Sequence, residues 1–195
     1  MPRKFGAVSQ ITVGNFNRTH GHRYLYRWPC VVLSVTAVDS KHISDSQVTL
    51  AQFMQPEHAN ALGNVHGGWI MKLTDEAGGL CATRHARRPA VTVAVDSLRF
   101  LSPVHVGDFV TFTAHLNWTG RTSMEVEVNV EAENLLTGQK THTNSAYLVF
   151  VALDQAGHPV EVPGLILETE EERRRWLQGA QRRADRLSRA KREAG

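Results

Sequence analysis

Apolar residues recur at helical spacing in the segment GGWIMKLTDEAGGLCATRHA, residues 67–86. One face of the predicted helix collects residues three or four positions apart: Ile70, Leu73, Ala77, Leu80 and Cys81. Trp69, Met71 and Ala82 add apolar surface outside that face. A helix this apolar is predicted to be enclosed by other structure instead of lying on the surface of the domain.

Alternation of apolar and polar residues, the pattern of β-strands, dominates the remainder of the central chain. A first strand is predicted over 46–54, and four longer strands follow the helix, over 90–101, 109–118, 123–133 and 141–153. The turns TGRT and LLTGQK predict hairpins between the last three strands. This order predicts an α+β domain in which an antiparallel sheet curls around one long central helix. Such a unit leaves a sheet edge uncovered, so we expect self-association.

Charge is distributed unevenly along the 195 residues. The net charge is +4 over residues 1–45, −4 over residues 46–167 and +3 over residues 168–195. We predict a poorly ordered N-terminal extension over 1–45, the main domain over 46–165 and a charged helix over 166–195, whose acids precede its bases as the helix dipole favours. The extension has no acid before Asp39, so a targeting peptide and an unpatterned addition are both open interpretations.

Composition narrows the classes of function. The acidic central segment argues against a nucleic-acid-binding core, because phosphate affinity requires a clustered basic face. No run approaches the ~20 apolar residues of a membrane span. Cys30 and Cys81 form no disulfide or metal pattern and the ten histidines show no ligand spacing, so we expect no bound metal. Free thiols suit a reducing compartment and predict a cytoplasmic protein.

A carboxylate, Asp75, interrupts the apolar helix and is the first candidate for chemistry. It lies two positions after Leu73, about 200° around the helix from that residue on the apolar face. Gly78 and Gly79 are its helical neighbours, and each costs roughly 1 kcal/mol relative to alanine inside a helix. We therefore expect another helix or a ligand to approach the backbone beside Asp75. Pairing of Asp75 with Lys72 is the competing, purely structural interpretation.

The start of the helix, VHGG, is the second candidate, because its unpaired N–H groups favour developing negative charge and can form an oxyanion hole. Gly67 and Asp75 are eight residues apart, or about 12 Å along a helix. One reacting carbonyl cannot contact both groups of a single helix. If both act on one substrate, they must come from different subunits.

These residues resemble the hotdog-fold acyl-coenzyme A thioesterases. The likeness is greatest to the cytosolic acyl-CoA hydrolase branch, which includes the brain acyl-CoA hydrolase and the bacterial YciA-type enzymes. It covers roughly residues 46–190 and is carried by five ordered blocks: NALGNVHGG (60–68), DEAGGLCATRHA (75–86), VTVAVDSLRFLSPVHVGD (91–108), TSMEVEVNVEAENLLTGQK (122–140) and AYLVFVALDQAGHPVEVP (146–163).

The resemblance implies hydrolysis of a fatty acyl-CoA to a free acid and coenzyme A, without a cofactor. Asp75 matches the family's helix acid, as general base or as the nucleophile that forms an anhydride. Asn60 matches the loop asparagine that orients water or carbonyl, although capping of its own loop is an alternative role. The backbone at His66, Gly67 and Gly68 matches the oxyanion site. Such sites are built across homodimers, which commonly assemble as trimers of dimers, giving a hexamer.

The phosphates of coenzyme A predict basic groups near the site. The expected CoA-binding residues are Arg121, Thr122 and Ser123 in the TGRTS turn and, more weakly, Arg99 and Asn64. Asn64 could instead supply only turn geometry, and any one arginine could be an ordinary surface charge. Arg84, Arg87 and Arg88 are further candidates, whereas Asp96 is expected to be structural.

Two other functions compete with hydrolysis. A hotdog dehydratase acting on an acyl thioester requires a catalytic histidine aligned with the helix carboxylate, which this loop matches less well. A non-catalytic acyl-CoA-binding regulator would be expected to carry an effector module, and the two ends of this chain are too short or too simple for one.

Overall fold

The computed structural model describes residues 39–193 and contains one five-stranded antiparallel sheet with a helix on each face. Its main strands are β2 (Val48–Phe53), β3 (Ala90–Phe100), β4 (Asp108–Thr119), β5 (Ser123–Asn134) and β6 (Gln139–Ala152). They are arranged in the order β2-β4-β5-β6-β3. The helices are α1 (Gly67–Ala86) and α2 (Glu170–Glu193). The α+β prediction is confirmed, and every predicted strand is present to within two residues at each end.

Helix α1 packs across one face of the sheet and contacts all five of its strands. Alternate residues of β5, from Met124 to Val130, point to this side and are buried in the core. Ile70, Leu73, Ala77 and Cys81 of α1 are buried as predicted. Leu80 is not, since 50% of its side-chain surface is exposed. Its prediction as a core residue is wrong: Cys81 and Ala82 beside it are fully buried, so Leu80 lies at the margin of the face of α1 that packs on the sheet.

The two glycines next to Asp75 have different surroundings. A Cβ on Gly78 would lie 3.0 Å from Cζ of Phe150 and 3.6 Å from Cγ2 of Val128, so this glycine lets α1 approach the sheet closely. At Gly79 the same atom would meet Phe150 at an ordinary 3.7 Å. At Gly78 the close approach expected beside Asp75 is therefore made by the sheet.

Helix α2 lies on the opposite face of the sheet and is attached by ion pairs. The fully buried carboxylate of Glu125 accepts hydrogen bonds from Nε and Nη2 of Arg182, at 3.1 and 2.5 Å. Arg186 donates to Asp96 and to Glu125. Asp96 is thus a structural residue, as predicted. Neither helix between residues 39 and 193 is long and apolar enough to cross a membrane.

Packed structure begins before residue 46. A short strand, β1 (Lys41–His42), pairs in parallel with β7 (Leu165–Ile166), and the turn that follows it buries Ile43 and Ser46. Residues 41–45, which we predicted to belong to the extension, are therefore packed against the domain. The rest of the predicted extension, residues 1–38 with Cys30, lies outside the described residues.

One outer strand of the sheet, β3, is conspicuously apolar on its surface. Within the described part of the chain it pairs only with β6. Its Val91, Val93 and Val95 are 45%, 56% and 52% exposed. An unpaired strand with exposed valines is the kind of edge that another chain covers.

The α2 face also carries a carboxylate with a strongly lowered pKa, that of Glu127. Burial alone would raise this pKa, but hydrogen bonds from His115 and Asn117 and the charges of His115 and Arg175 lower it from 4.5 to about 2. The ionised carboxylate therefore stabilises the folded state fully above pH 4.5. That contribution, about 3 kcal/mol, is lost as pH falls through the folded-state value near 2.

We expect Glu127→Gln to lower the free energy of unfolding by about 3 kcal/mol at neutral pH and to have no effect near pH 2. Urea unfolding of both proteins across this pH range, at one protein concentration, measures the difference. Glu131→Gln is the matched control, because its half-exposed carboxylate pairs with the exposed Lys140 and should contribute less than about 1 kcal/mol. A Glu127 effect that stays constant with pH would contradict this account.

Candidate active site

The loop before α1 is held in shape by Asn60. Its backbone N–H donates to the carbonyl of Asn64 at 2.7 Å, and its Oδ1 accepts from the N–H of Leu62 at 2.8 Å. The loop-capping role considered for Asn60 is therefore present. Its Nδ2 donates to no acceptor among residues 39–193 and remains free for a substrate or a water molecule.

His66 caps the first turn of α1. Its Nδ1 accepts a hydrogen bond from the N–H of Gly68 at 2.9 Å, and its carbonyl accepts from the N–H of Trp69. The same contact excludes a larger residue at 68, where a Cβ would lie 2.9 Å from that nitrogen. His66 thus organises the backbone, and the Gly68 N–H is already used. Within the described residues, the Gly67 N–H has no protein acceptor.

Gly67 lies on the wall of a cavity of about 360 Å³. Asn60 and Asn64 line the same cavity, opposite apolar residues of the segment from Phe100 to Val104. The ring of Phe100 comes so close that a Cβ on Gly67 would lie 3.3 Å from its Cζ. The residues that carry a free backbone donor and a free carboxamide donor therefore line one cavity, and two such donors can stabilise an oxyanion.

Asp75 is exposed and accepts a hydrogen bond from the hydroxyl of Thr92, between Oγ1 and Oδ1 at 2.6 Å. The pairing with Lys72 does not occur, since that ammonium group lies 2.6 Å from Oε1 of Glu76. Thr92 was not identified from the sequence. It is one of several polar residues in an alternating strand, and only the folding of β3 beside α1 brings it to Asp75.

An apolar groove of about 410 Å³ opens beside Asp75. Its walls include Met71 of α1, Val95 and Leu98 of β3 and Leu148 of β6. Gly68 lines this groove, whereas Gly67 lines the cavity at the helix start. Consecutive residues of the first turn thus face two separate spaces. Asp75 and the free Gly67 N–H do not meet within one chain.

The predicted phosphate-binding turn lies far from Gly67 of its own chain but only one residue row along the sheet from Thr92, which pairs with Phe150 of β6. Ser123 begins β5 opposite Val151, whereas Gly67 packs against Phe100, whose partner is Asn144, seven positions along β6 and about 23 Å away. Arg121, Thr122, Ser123 and Arg99 line neither the cavity nor the groove. Asn64 lines the cavity, and its Oδ1 lies 3.0 Å from Nδ1 of His105.

Two other reactive side chains, Cys81 and His85, are buried and unsuited to catalysis. Burial raises the pKa of the Cys81 thiol to about 12, so that it remains protonated at neutral pH. Burial likewise lowers the pKa of His85, whose ring is occupied by Ser46 and the carbonyl of Pro163. Between Asp39 and Glu193, no three His, Cys, Asp or Glu side chains are placed to hold a metal ion.

Comparison with known proteins identifies the class of this fold and site. Residues 62–138 match the thioesterase superfamily model. The acyl-CoA thioester hydrolase YkhA of Bacillus subtilis, itself described as uncharacterized, is 37% identical over 69% of this chain and 78% of its own length. The cytosolic acyl coenzyme A thioester hydrolase of Mus musculus is 36% identical over 76% of this chain. The match spans only 40% of that mouse protein.

Solved structures show the same relationship. An apo-hexameric acyl-CoA thioesterase superposes with a TM-score of 0.76 at 37% identity, over 78% of this chain and 98% of the other. An acyl-CoA hydrolase from Staphylococcus aureus, solved with butyryl coenzyme A, coenzyme A and coenzyme A disulfide, gives a TM-score of 0.74 at 30% identity, over 80% and 94% of the two chains. Variants of that enzyme with alanine at an aspartate, an asparagine or a threonine are also known.

The sheet wrapped on one long helix, with a donor-lined cavity at the helix start, therefore defines a hotdog-fold thioesterase. Within that class, the chain belongs to the thioesterase superfamily members that are named acyl-CoA thioester hydrolases.

Proposed function

We propose that the protein hydrolyses fatty acyl-CoA thioesters at sites shared between two subunits. One observation carries the proposal: the free Gly67 N–H and Asp75 lie on the same helix but face different spaces. Each space holds only half of the groups that thioester hydrolysis requires. A second copy of the chain would supply the other half to both.

The pairing must be symmetric. A two-fold axis that brings Gly67 of one subunit to Asp75 of the partner subunit also makes the reciprocal contact, so a dimer has two equivalent sites with antiparallel α1 helices. The exposed valines of β3 give such a dimer an apolar sheet edge to bury. The hexameric thioesterases among the solved relatives support a further assembly of dimers into a hexamer.

The proposed reaction uses the start of α1 from one subunit and Asp75 from the partner subunit. The thioester carbonyl binds at the start of α1, where the N–H of Gly67 and the Nδ2 of Asn60 donate to its oxygen. Asp75 of the partner subunit removes a proton from water, and the resulting hydroxide attacks the carbonyl carbon. The negative charge that develops on the oxygen is stabilised by the two donors. The carbon–sulfur bond breaks as the tetrahedral intermediate collapses, and the proton held by Asp75 passes to the leaving sulfur, which releases the fatty acid and the thiol of coenzyme A.

The S. aureus variants support this choice of residues. In that enzyme the substituted aspartate follows the asparagine by 15 residues, and the threonine follows the aspartate by 17. Asn60, Asp75 and Thr92 stand at the same intervals here. This agreement adds Thr92, whose hydroxyl fixes one oxygen of Asp75, to the proposed site as a positioning residue.

Thr92→Val should lower kcat by roughly tenfold to a hundredfold, because Asp75 loses the hydrogen bond that orients it. Thr92→Ser keeps the hydroxyl and should retain most of the activity. Steady-state hydrolysis measures both variants, with KM expected to change little. Equal losses in the serine and valine variants would show that Thr92 serves packing instead of orientation.

The direct test is thiol release from acyl-CoAs of graded chain length. Rapid release, with stoichiometric free acid, is expected, and the chain-length profile will define the substrate. Binding of acyl-CoA without release would support the non-catalytic regulator, and loss of water from a hydroxyacyl thioester with the thioester intact would support the dehydratase. A cytoplasmic location agrees with the cytosolic name of the mouse relative and remains a prediction.

A further inference from the structure

Another lined space, separate from the cavity and the apolar groove, lies at the C-terminal end of α1. Its volume is about 550 Å³, and its walls are Leu80, Thr83, Arg84, Arg87, Arg88 and Pro89. We call it the arginine groove. It contains three guanidinium groups and no acidic side chain.

In the part of the chain that the structure describes, the charges of the arginine groove are not neutralised. Among residues 39–193, no carboxylate lies within ion-pair distance of Arg84, Arg87 or Arg88. The arginines of α2 contrast with them, since Arg174, Arg182 and several others bind carboxylates. A guanidinium of Arg84 donates to a neutral acceptor, the carbonyl of Gln47, which fixes its position.

A fourth cation increases the positive charge nearby. Lys41 donates from its Nζ to the carbonyl of His85 at 2.6 Å. Burial and the positive charge of Arg87 lower the pKa of Lys41. The carbonyl end of a helix repels anions, so any anion affinity here must come from the cationic side chains.

The floor of the groove is apolar and open. Leu80, which the sequence predicted to be buried, is half exposed here, and Pro89 closes the far side. An apolar floor bordered by guanidinium groups suits a ligand that combines an uncharged segment with phosphates. Arginine forks bind phosphate oxygens in pairs of hydrogen bonds.

The distance to the proposed catalytic carboxylate matches such a ligand. Arg84 follows Asp75 by nine residues, or about 13.5 Å along α1. In coenzyme A the extended pantetheine arm separates the thioester from the nucleotide phosphates by a comparable or greater length. We propose that the arginine groove binds the phosphates of the coenzyme A nucleotide, with Leu80 beneath the pantetheine arm. This inference rests on the proposed acyl-CoA hydrolysis and replaces the TGRTS turn as the principal phosphate site.

The test compares two substrates with the same acyl group, the acyl-CoA and the acyl thioester of N-acetylcysteamine, which has no phosphates. In the double variant Arg87→Gln/Arg88→Gln, KM for the acyl-CoA should rise roughly tenfold to a hundredfold with kcat retained. The N-acetylcysteamine thioester should be hydrolysed as by the parent protein. Arg84 is left in place because it also holds Gln47.

Two single variants are the controls. Arg189→Gln removes an arginine of the same charge from α2 and should leave KM unchanged, and Arg121→Gln tests the turn predicted from the sequence. The inference is overturned if KM for the acyl-CoA stays within about twofold in the double variant. It is also overturned if both substrates are affected equally, or if Arg121→Gln alone produces the larger effect.

Calorimetric titration with coenzyme A separates this inference from the proposed function. Weaker binding of coenzyme A by the double variant than by the parent protein supports the arginine groove, whether or not the parent hydrolyses thioesters. Equal binding by the two proteins, with hydrolysis by the parent, overturns the arginine groove and leaves the hydrolase intact. A parent protein that binds no coenzyme A overturns the arginine groove as well.

Discussion

Asp75→Ala is expected to lower kcat by at least about a hundredfold and to leave the folded protein nearly as stable as the parent. Asp75 is exposed in the single chain, and its one hydrogen bond among residues 39–193 is to the hydroxyl of Thr92. Its loss therefore removes the proposed proton acceptor without opening a cavity in the core. Thiol release under substrate saturation measures the effect, and thermal unfolding verifies the fold.

Two companion variants make this experiment specific. Asp75→Asn keeps the shape of the side chain and an acceptor for Thr92 but cannot take a proton, so it should be almost as inactive as Asp75→Ala. Glu76→Gln removes the adjacent carboxylate, whose exposed pair with Lys72 should contribute less than about 1 kcal/mol, and should retain full activity. If Asp75→Asn kept most of the parent kcat, Asp75 would not be the base.

The sequence predicts the fold well because the helical and the alternating spacing of its apolar residues each continue over long segments. Twenty residues of helical spacing specify α1, and β5 alternates without a break, with Val126, Val128 and Val130 toward the core and Glu125 and Glu127 on the other side. Turn residues with glycine separate these elements, as at Gly138, whose φ is 71°. Local patterns of this kind are sufficient to determine the order and type of the elements.

Contacts between distant segments could not be predicted in the same way. Helical period places Leu80 on the apolar face but does not show how far around α1 the packed sheet extends. The buried Glu125 resembles an exposed strand residue until Arg182 of α2, 57 positions away, is placed over it. The burial of Leu80 and of Glu125 depends on segments that are distant in sequence, and the spacing of nearby residues does not predict such contacts.

The same distinction applies to the candidate site, where residues close in sequence were predictable and contacts between distant segments were not. Asn60, His66, Gly67 and Gly68 form one continuous loop and helix start, so their proximity follows from the sequence. Thr92 reaches Asp75 only through the packing of β3, and the roles of the two glycine N–H groups differ because the His66 ring takes one of them. The sequence could propose an oxyanion site at HGG, but not distinguish Gly67 from Gly68.

Mixing two inactive chains should restore activity if the site is shared between subunits. We expect Asn60→Ala and Asp75→Ala homomers each to be strongly impaired, and co-expressed chains with two different tags to recover about a quarter of the parent activity by random assembly. Recovery arises because an intact Asn60 in one chain meets an intact Asp75 in the other. The sites formed by the two altered residues remain inactive.

The control pairs Asp75→Ala with the Asn60→Ala/Asp75→Ala double variant. It forms mixed oligomers as readily but contains no intact Asp75, so it should recover nothing. Tandem purification through both tags confirms that mixed oligomers are being assayed. If they proved as inactive as this control, Asn60 and Asp75 would have to act within one chain. The helix geometry opposes that, because the start of α1 and Asp75 are about 12 Å apart and face different spaces.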